Sequence, residues 1–123
     1  MKVFLDTSVL SDERRQRTGE ELLKQYSAGG QLYISVITHF KILWGYLAAS
    51  MPSENYDEFL QSAGLQIAPL IRADAEEAAT MKPTSADLLD ALIASCAKRY
   101  GATVWTSEKD FLKFLPKSRV RIF

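Results

Sequence analysis

Apolar positions along this chain fall into short unbroken runs, separated by stretches in which they recur every three or four residues. The runs are Val3-Phe4-Leu5, Leu32-Tyr33-Ile34-Ser35-Val36, Leu65-Gln66-Ile67-Ala68, Ala102-Thr103-Val104-Trp105-Thr106 and Arg119 to Phe123. Short apolar, β-branched or aromatic runs of this kind, bounded by polar clusters, read as strands buried on both faces. Helical spacing joins Phe40, Leu43, Trp44, Leu47 and Ala48, with Thr38 as the N-cap and Pro52 as the stop. It recurs in Tyr56, Phe59, Leu60 and Ala63 after Ser53, ended by Gly64, and in an alanine-rich helix from Ala73 to about Met81 before Pro83. Leu89, Leu92, Ile93, Cys96, Ala97 and Tyr100 form the most regular stripe, capped by Ser85 or Asp87 and closed by Gly101. A shorter helix is expected from about Glu20 to Ser27, ended by Gly29-Gly30, and a short helix or turn from Ser107 to Leu115. Strands alternating with helices, with no hairpin signal, predict parallel pairing in an α/β fold: a three-layer α/β/α sandwich around a five-stranded parallel sheet.

Parallel crossovers put every strand's carboxyl end on one edge, and ligands of open α/β sheets bind there. Three acids fall at that edge. Asp6 ends the first strand, Asp90 lies in the first turn of the helix before the fourth strand, and Glu108 follows that strand. Gathered carboxylates repel one another and raise each other's pKa, an arrangement that makes sense if a divalent cation neutralises them. With oxygen ligands and no histidine or cysteine partner, the expected ion is Mg²⁺ or Mn²⁺, which activates water and braces a phosphodiester. The plain alternatives are local. Asp6-Thr7-Ser8 is also turn and capping chemistry, Asp87 and Asp90 complement a helix dipole, and Glu108 and Asp110 cap a short helix that buries Phe111 and Phe114.

Composition narrows the partners. The 123 residues make one domain, 1–123, and fifteen basic side chains cancel fifteen acidic ones. Nucleic acid must therefore be held by local patches such as Arg14-Arg15-Arg17 or Lys117-Arg119-Arg121, or through metal ions; otherwise these clusters are a solvated helix face and a charged edge strand. The single cysteine, Cys96, excludes an internal disulfide and reads as a buried packing residue in a reducing interior. Asp6 interrupts the first apolar run before it reaches signal-peptide length, and no segment approaches the roughly 20 apolar residues of a membrane span. A cytoplasmic protein with no membrane partner is expected.

The blocks FLDTSVL, ISVIT leading into a helix with Gly45, and LLDALIASCAKRYGATVWTSEKDF, in that order, resemble the PIN domain, and among its members the small VapC-type toxin ribonucleases. The resemblance covers nearly the whole chain. It implies a five-stranded parallel sheet between helices, Mg²⁺ or Mn²⁺ held by a quartet of acids, cleavage of single-stranded RNA, a homodimer and a small antitoxin partner. Carried over, Asp6 is the first acid, Asp90 the third, and Glu108 stands where the family has aspartate. Ser8, Thr106 and Asp110 match supporting positions, and Phe111 fits the same block. The second acid is where this chain departs: Lys41 occupies its place four residues before Gly45, and an ammonium cannot ligate a metal.

His39 does not replace that acid, because two residues along a helix turn it roughly 200° away; it is expected to be an exposed first-turn histidine. Asp12, Glu13, Asp74 and Asp87 remain as substitutes. Either Lys41 fills the space of a second cation, leaving Asp6, Asp90 and Glu108 to hold one metal while its ammonium contacts the scissile phosphate, or it salt-bridges Asp6 or Asp90 and the metal site is lost. The first outcome gives a metal-dependent endoribonuclease with Asp6, Asp90 and Glu108 as its catalytic metal ligands. The second gives a catalytically impaired PIN-like domain that binds RNA or protein. A phosphotransferase of the haloacid-dehalogenase type needs an aspartate at position 8, where this chain has Ser8. The large apolar residues Trp44, Tyr46 and Leu47 exceed what one core-facing stripe requires, which fits a dimer face or a groove for a partner helix.

Overall fold

A strand whose neighbouring residues all lie inside must serve two cores at once, and the first strand does so. In β1 (Lys2–Leu5), Phe4 packs on one side of the sheet with Tyr33, Val104, Ile93 and Ala97. Val3 and Leu5 pack on the other with Leu32, Ile34, Trp105 and Tyr56. Successive side chains of a strand point to opposite faces, so an unbroken apolar run is what a doubly covered strand demands. A computed structural model describes residues 1–10, 19, 24–25 and 28–123. Most of the helix expected over Glu20–Ser27, the cluster Arg14-Arg15-Arg17, Asp12 and Glu13 lie outside the described residues; Lys24 and Gln25 are helical.

Four more strands complete the sheet: β2 (Gln31–Ser35), β3 (Leu65–Ala68), β4 (Thr103–Thr106) and β5 (Val120–Ile122). All pairings are parallel, in the order β3-β2-β1-β4-β5. The described helices are α1 (Val36–Ala48), α2 (Glu54–Ser62), α3 (Arg72–Thr80) and α4 (Leu88–Tyr100). The α/β/α layering and the five-stranded parallel sheet are those that the alternation predicts. From β1 the chain builds outward through β2 to β3, then crosses back to place β4 on the other flank of β1. That reversal makes the crevice between the carboxyl ends of β1 and β4 the switch point of the sheet.

Two helix starts differ from expectation. α1 begins three residues early, capped by Ser35 rather than Thr38. The Ser35 hydroxyl accepts the Thr38 N–H at 3.1 Å and donates to the Thr38 hydroxyl at 3.3 Å. The β-branched pair Val36-Ile37 favours strand by propensity, but the serine cap at the sheet edge starts the helix before it. Asp87 stands at the N-cap position of α4, yet its carboxylate turns back to the Thr84 N–H at 2.6 Å. α4 ends at Gly101, whose φ of 66° is the left-handed conformation a glycine adopts without strain. Cys96 is fully buried in α4, and burial pushes its thiol up to about 11, which suits packing and not nucleophilic chemistry. Among the described residues, no helix is long and apolar enough to cross a membrane.

Candidate active site

Asp6 is the first residue beyond β1, and its backbone N–H continues the ladder to β4 by donating to the Trp105 carbonyl at 2.9 Å. This register brings the Asp6 side chain against Thr106, the last residue of β4. The carboxylate is 4% exposed. Its Oδ2 accepts the Ser8 hydroxyl at 2.8 Å and the Thr106 hydroxyl at 2.9 Å. Each hydroxyl oxygen in turn accepts a backbone N–H at 2.9 Å, that of Ser107 for Ser8 and that of Glu108 for Thr106. With a lone pair of each hydroxyl engaged, the protons are directed at Asp6. Such bonds hold the carboxylate in one orientation. Both converge on the same oxygen and neither engages Oδ1.

Asp90, in the first turn of α4, is half-buried and stands in the field of this carboxylate. Its own carboxyl is pushed up to about 6, first by burial and then by the negative charge of Asp6; Lys41 opposes the rise, and Asp110 and Glu108 add to it. The structure therefore brings Asp6, Asp90, Glu108, Asp110 and Lys41 to one edge. Glu108 is exposed, and Asp110 is tied to Lys113 at 3.2 Å. Lys41 sits on the inward side of α1, one turn after the buried residues Ile37 and Thr38, and is half-buried. Among the described residues it makes no ion pair with Asp6 or Asp90; the ion pairs run instead through Arg72, Lys98, Arg99 and Lys113.

Asp74 and Asp87, offered by the sequence as substitutes for the second acid, are committed elsewhere. Asp74 receives Arg99 on both oxygens, Nε to Oδ1 at 2.8 Å and Nη2 to Oδ2 at 3.0 Å, and also accepts the Ile71 N–H. Asp87 takes the Lys113 ammonium at 3.0 Å together with the Thr84 N–H and hydroxyl. Lys113 thus clamps Asp87 and Asp110 together. The only local sign of this clamp in the sequence is the three-residue spacing from Asp110 to Lys113. His39 is not the exposed histidine expected: it is half-buried, and its Nδ1 lies 2.6 Å from the Tyr56 hydroxyl. That contact ties α1 to α2. Burial and the nearby Asp57 and Tyr46 push the Tyr56 hydroxyl up to about 12.

Chemically, the edge offers oxygen donors with excess negative charge and preset orientation. Among the described residues, no three of the His, Cys, Asp and Glu side chains close into a cage. A hard cation that keeps several waters and takes one or two carboxylates matches the Asp6–Asp90 pair; a fully protein-caged ion does not. The concave clefts of about 270 Å³ beside Lys98 and Arg119 and about 330 Å³ beside Asp74 and Arg99 lie away from this pair.

Comparison with known proteins follows the same outline. The chain is similar to a structure of VapBC2 from Rickettsia felis bound to a DNA fragment from the promoter of the pair, at 19% identity over 99% of this chain and 98% of that one, with a TM-score of 0.74. It is also similar to DNA-bound VapBC from Salmonella typhimurium, at 18% identity over 99% and 98% with a TM-score of 0.68. A toxin-antitoxin complex from Klebsiella pneumoniae matches at 22% identity over 97% and 95%, with a TM-score of 0.64. The chain matches no curated protein sequence. These likenesses establish the fold. A PIN domain family model matches residues 3–114, from the strand that delivers Asp6 past the helix that carries Asp90 and the strand that ends in Thr106, so the chain belongs to the PIN domain family.

Proposed function

We propose that this chain is a divalent-metal-dependent endoribonuclease that cleaves single-stranded RNA, and that it is the toxin of a toxin-antitoxin pair. One observation carries the reading: the carboxylates of Asp6 and Asp90 lie within electrostatic reach of each other at the carboxyl edge of the sheet, and among the described residues no basic side chain closes an ion pair with either. Membership of the PIN family and the likeness to toxin-antitoxin complexes support the nuclease class and a small protein partner. Asp6 and Asp90 would hold Mg²⁺ or Mn²⁺, with Glu108 contributing charge from the rim. Bound there, the ion supplies an activated water and neutralises charge developing on the phosphodiester. Ser8 and Thr106 keep Asp6 aimed through Oδ2, leaving Oδ1 for ligation. Asp110, held by Lys113, adds negative potential behind Asp90. Purified protein with Mn²⁺ should cut a single-stranded RNA, and Asp6→Asn should reduce the cleavage to background; undiminished cutting by that variant overturns the assignment.

A dimer belongs to the same reading. Val36, Phe40, Trp44 and Leu47 fall within one narrow arc of α1 and are 37%, 64%, 63% and 78% exposed. With Met51 just beyond, they present an apolar surface on the order of 500 Å², the size of the largest, often functional, patch on a typical monomer and a large part of the roughly 800 Å² each partner buries in a stable interface. The ridge carries no charge, so two copies can meet on it without repulsion. Sedimentation should show a dimer at micromolar concentration that Trp44→Arg converts to monomer; a monomeric wild type removes this part.

The second reading is a PIN domain that binds RNA or protein without cutting, and Lys41 is the observation that favours it. Mn²⁺ titration by calorimetry separates the two. Tight uptake by the wild type overturns the silent reading, while uptake gained only in Lys41→Glu overturns the nuclease.

A further inference from the structure

We infer that Lys41 is a phosphate-holding residue: its ammonium stands beside the Asp6–Asp90 pair as a permanent internal cation and takes one non-bridging oxygen of the RNA phosphate. The inference rests on the nuclease reading for its substrate and on the geometry of α1 for its residue.

A lysine on a helix ordinarily carries its charge into water or into an ion pair. Lys41 does neither. It follows Ile37 and Thr38 by four and three residues on the face that those buried side chains turn inward, and α1 touches α4 across the edge where Asp90 lies. Its charge acts on Asp90 against the combined effect of Asp6, Asp110 and Glu108. Among the described residues, no carboxylate approaches it within ion-pair distance. Lys113 shows the contrast. It reaches the same acidic neighbourhood and is taken up by Asp87 at 3.0 Å and Asp110 at 3.2 Å.

A half-buried ammonium on the inward face of α1, with no ion pair closed among the described residues, suits an anion carrying two outward oxygens, one for a cation held by the carboxylates and one for the lysine. A phosphodiester has this arrangement. A lysine serves it as a point charge, needing no bidentate geometry. The ammonium also supplies one positive charge where another carboxylate would have called for more cation, so one divalent ion suffices. Lys41 is a binding and positioning residue in this assignment. It takes no proton and breaks no bond.

The test separates phosphate holding from cleavage. A fluorescein-labelled single-stranded RNA is titrated into the full chain in EDTA, with anisotropy as the readout, across a series of salt concentrations. Wild type should bind, with Lys41→Met about tenfold weaker and with a salt slope lower by about 0.7, the value for one phosphate contact on a single strand. Lys41→Arg should restore most of the affinity, because it restores the charge. With Mn²⁺ alone, calorimetry should give one ion per chain for wild type and a further ion for Lys41→Glu. Circular dichroism establishes that each variant is folded. Equal affinity and equal slope for wild type and a folded Lys41→Met overturn the assignment, even where Mn²⁺-dependent cleavage persists and the nuclease reading stands. A wild type that binds with the Lys41-dependent slope yet never cleaves overturns the nuclease reading and leaves the phosphate contact in place.

Discussion

Asp74 and Asp87 are 1% and 2% exposed, more deeply buried than Asp90, yet they ionise more readily. At Asp74 burial pushes the carboxyl up, but the hydrogen bonds from Arg99 and the Ile71 N–H outweigh it and hold the group below its usual range. At Asp87 the Lys113 hydrogen bond leads, against burial, with Thr84 assisting. Asp90 has no such partner among the described residues: burial, Asp6, Asp110 and Glu108 push its carboxyl up, and Lys41 opposes them only at a distance beyond an ion pair. Depth of burial therefore does not distinguish an acid that holds the fold from one that holds a ligand. The charge that answers it does. Acids answered by a cation are fasteners between helices, while acids answered by other acids are the ones on which the proposed metal site draws.

The largest effect should come from unfastening the structural pair. Arg99→Met leaves Asp74 buried with only the Ile71 N–H, and loss of one partner of a buried pair costs about 3 kcal/mol. A thermal melt should fall by at least ten degrees or so at pH 7. Because the Asp74 carboxyl is lowered in the folded chain, its contribution is present above the unfolded pKa and disappears as pH falls below about 4, where variant and wild type should converge. A melt unchanged at pH 7 would show that Arg99 is ornamental.

Next is the support of Asp6. Thr106→Val keeps the buried volume of the strand end but removes the proton aimed at Oδ2 and the acceptor of the Glu108 N–H, so cleavage should drop by about 10- to 100-fold and the melt should fall by less than in Arg99→Met, for a cost of about 1 to 2 kcal/mol. A rate near wild type would detach Thr106 from the site.

The smallest effect has the opposite sign. Asp90→Asn removes a charge that burial and its neighbours disfavour, and should stabilise the metal-free chain at pH 7 by about 1 kcal/mol once solvent screening is allowed for. The Asp90 carboxyl is raised in the folded chain, so the wild type binds more protons folded than unfolded between about pH 4 and 6. The Asp90 share of its stability should accordingly fall as pH rises through that interval and stay low above it. In the variant this component of the pH dependence should vanish. A destabilised variant would place Asp90 among the fasteners and collapse the distinction between the two kinds of acid.

The layering and the edge were legible because they follow from patterns that need no distances. Val3-Phe4-Leu5 is continuous because both faces of β1 are covered, and Asp6 sits at the switch point because of strand order. Gly101 announced the end of α4 through its backbone freedom alone. What sequence did not show was which cation meets which acid. Arg99 and Asp74 are 25 residues apart, Lys113 and Asp87 are 26 apart, and His39 finds Tyr56 across 17. Such partners depend on how helices lie against each other, and spacing along one helix is silent on that. Lys41 was visible as a departure, but only the packing of α1 against α4 shows that its charge reaches Asp90 without closing an ion pair.

One of the two hydroxyls that aim Asp6, that of Ser8, is two residues away, but the other comes from a residue 100 positions later in the chain. During synthesis Asp6 emerges with Ser8 beside it and lacks its second orienting partner until β4 has been made and has inserted beside β1. A chain interrupted before Thr103 thus contains the first acid and only half of what directs it. In the proposed nuclease this order of assembly is a delay built into the topology: the second hydroxyl that directs the first acid arrives only with nearly the whole sheet.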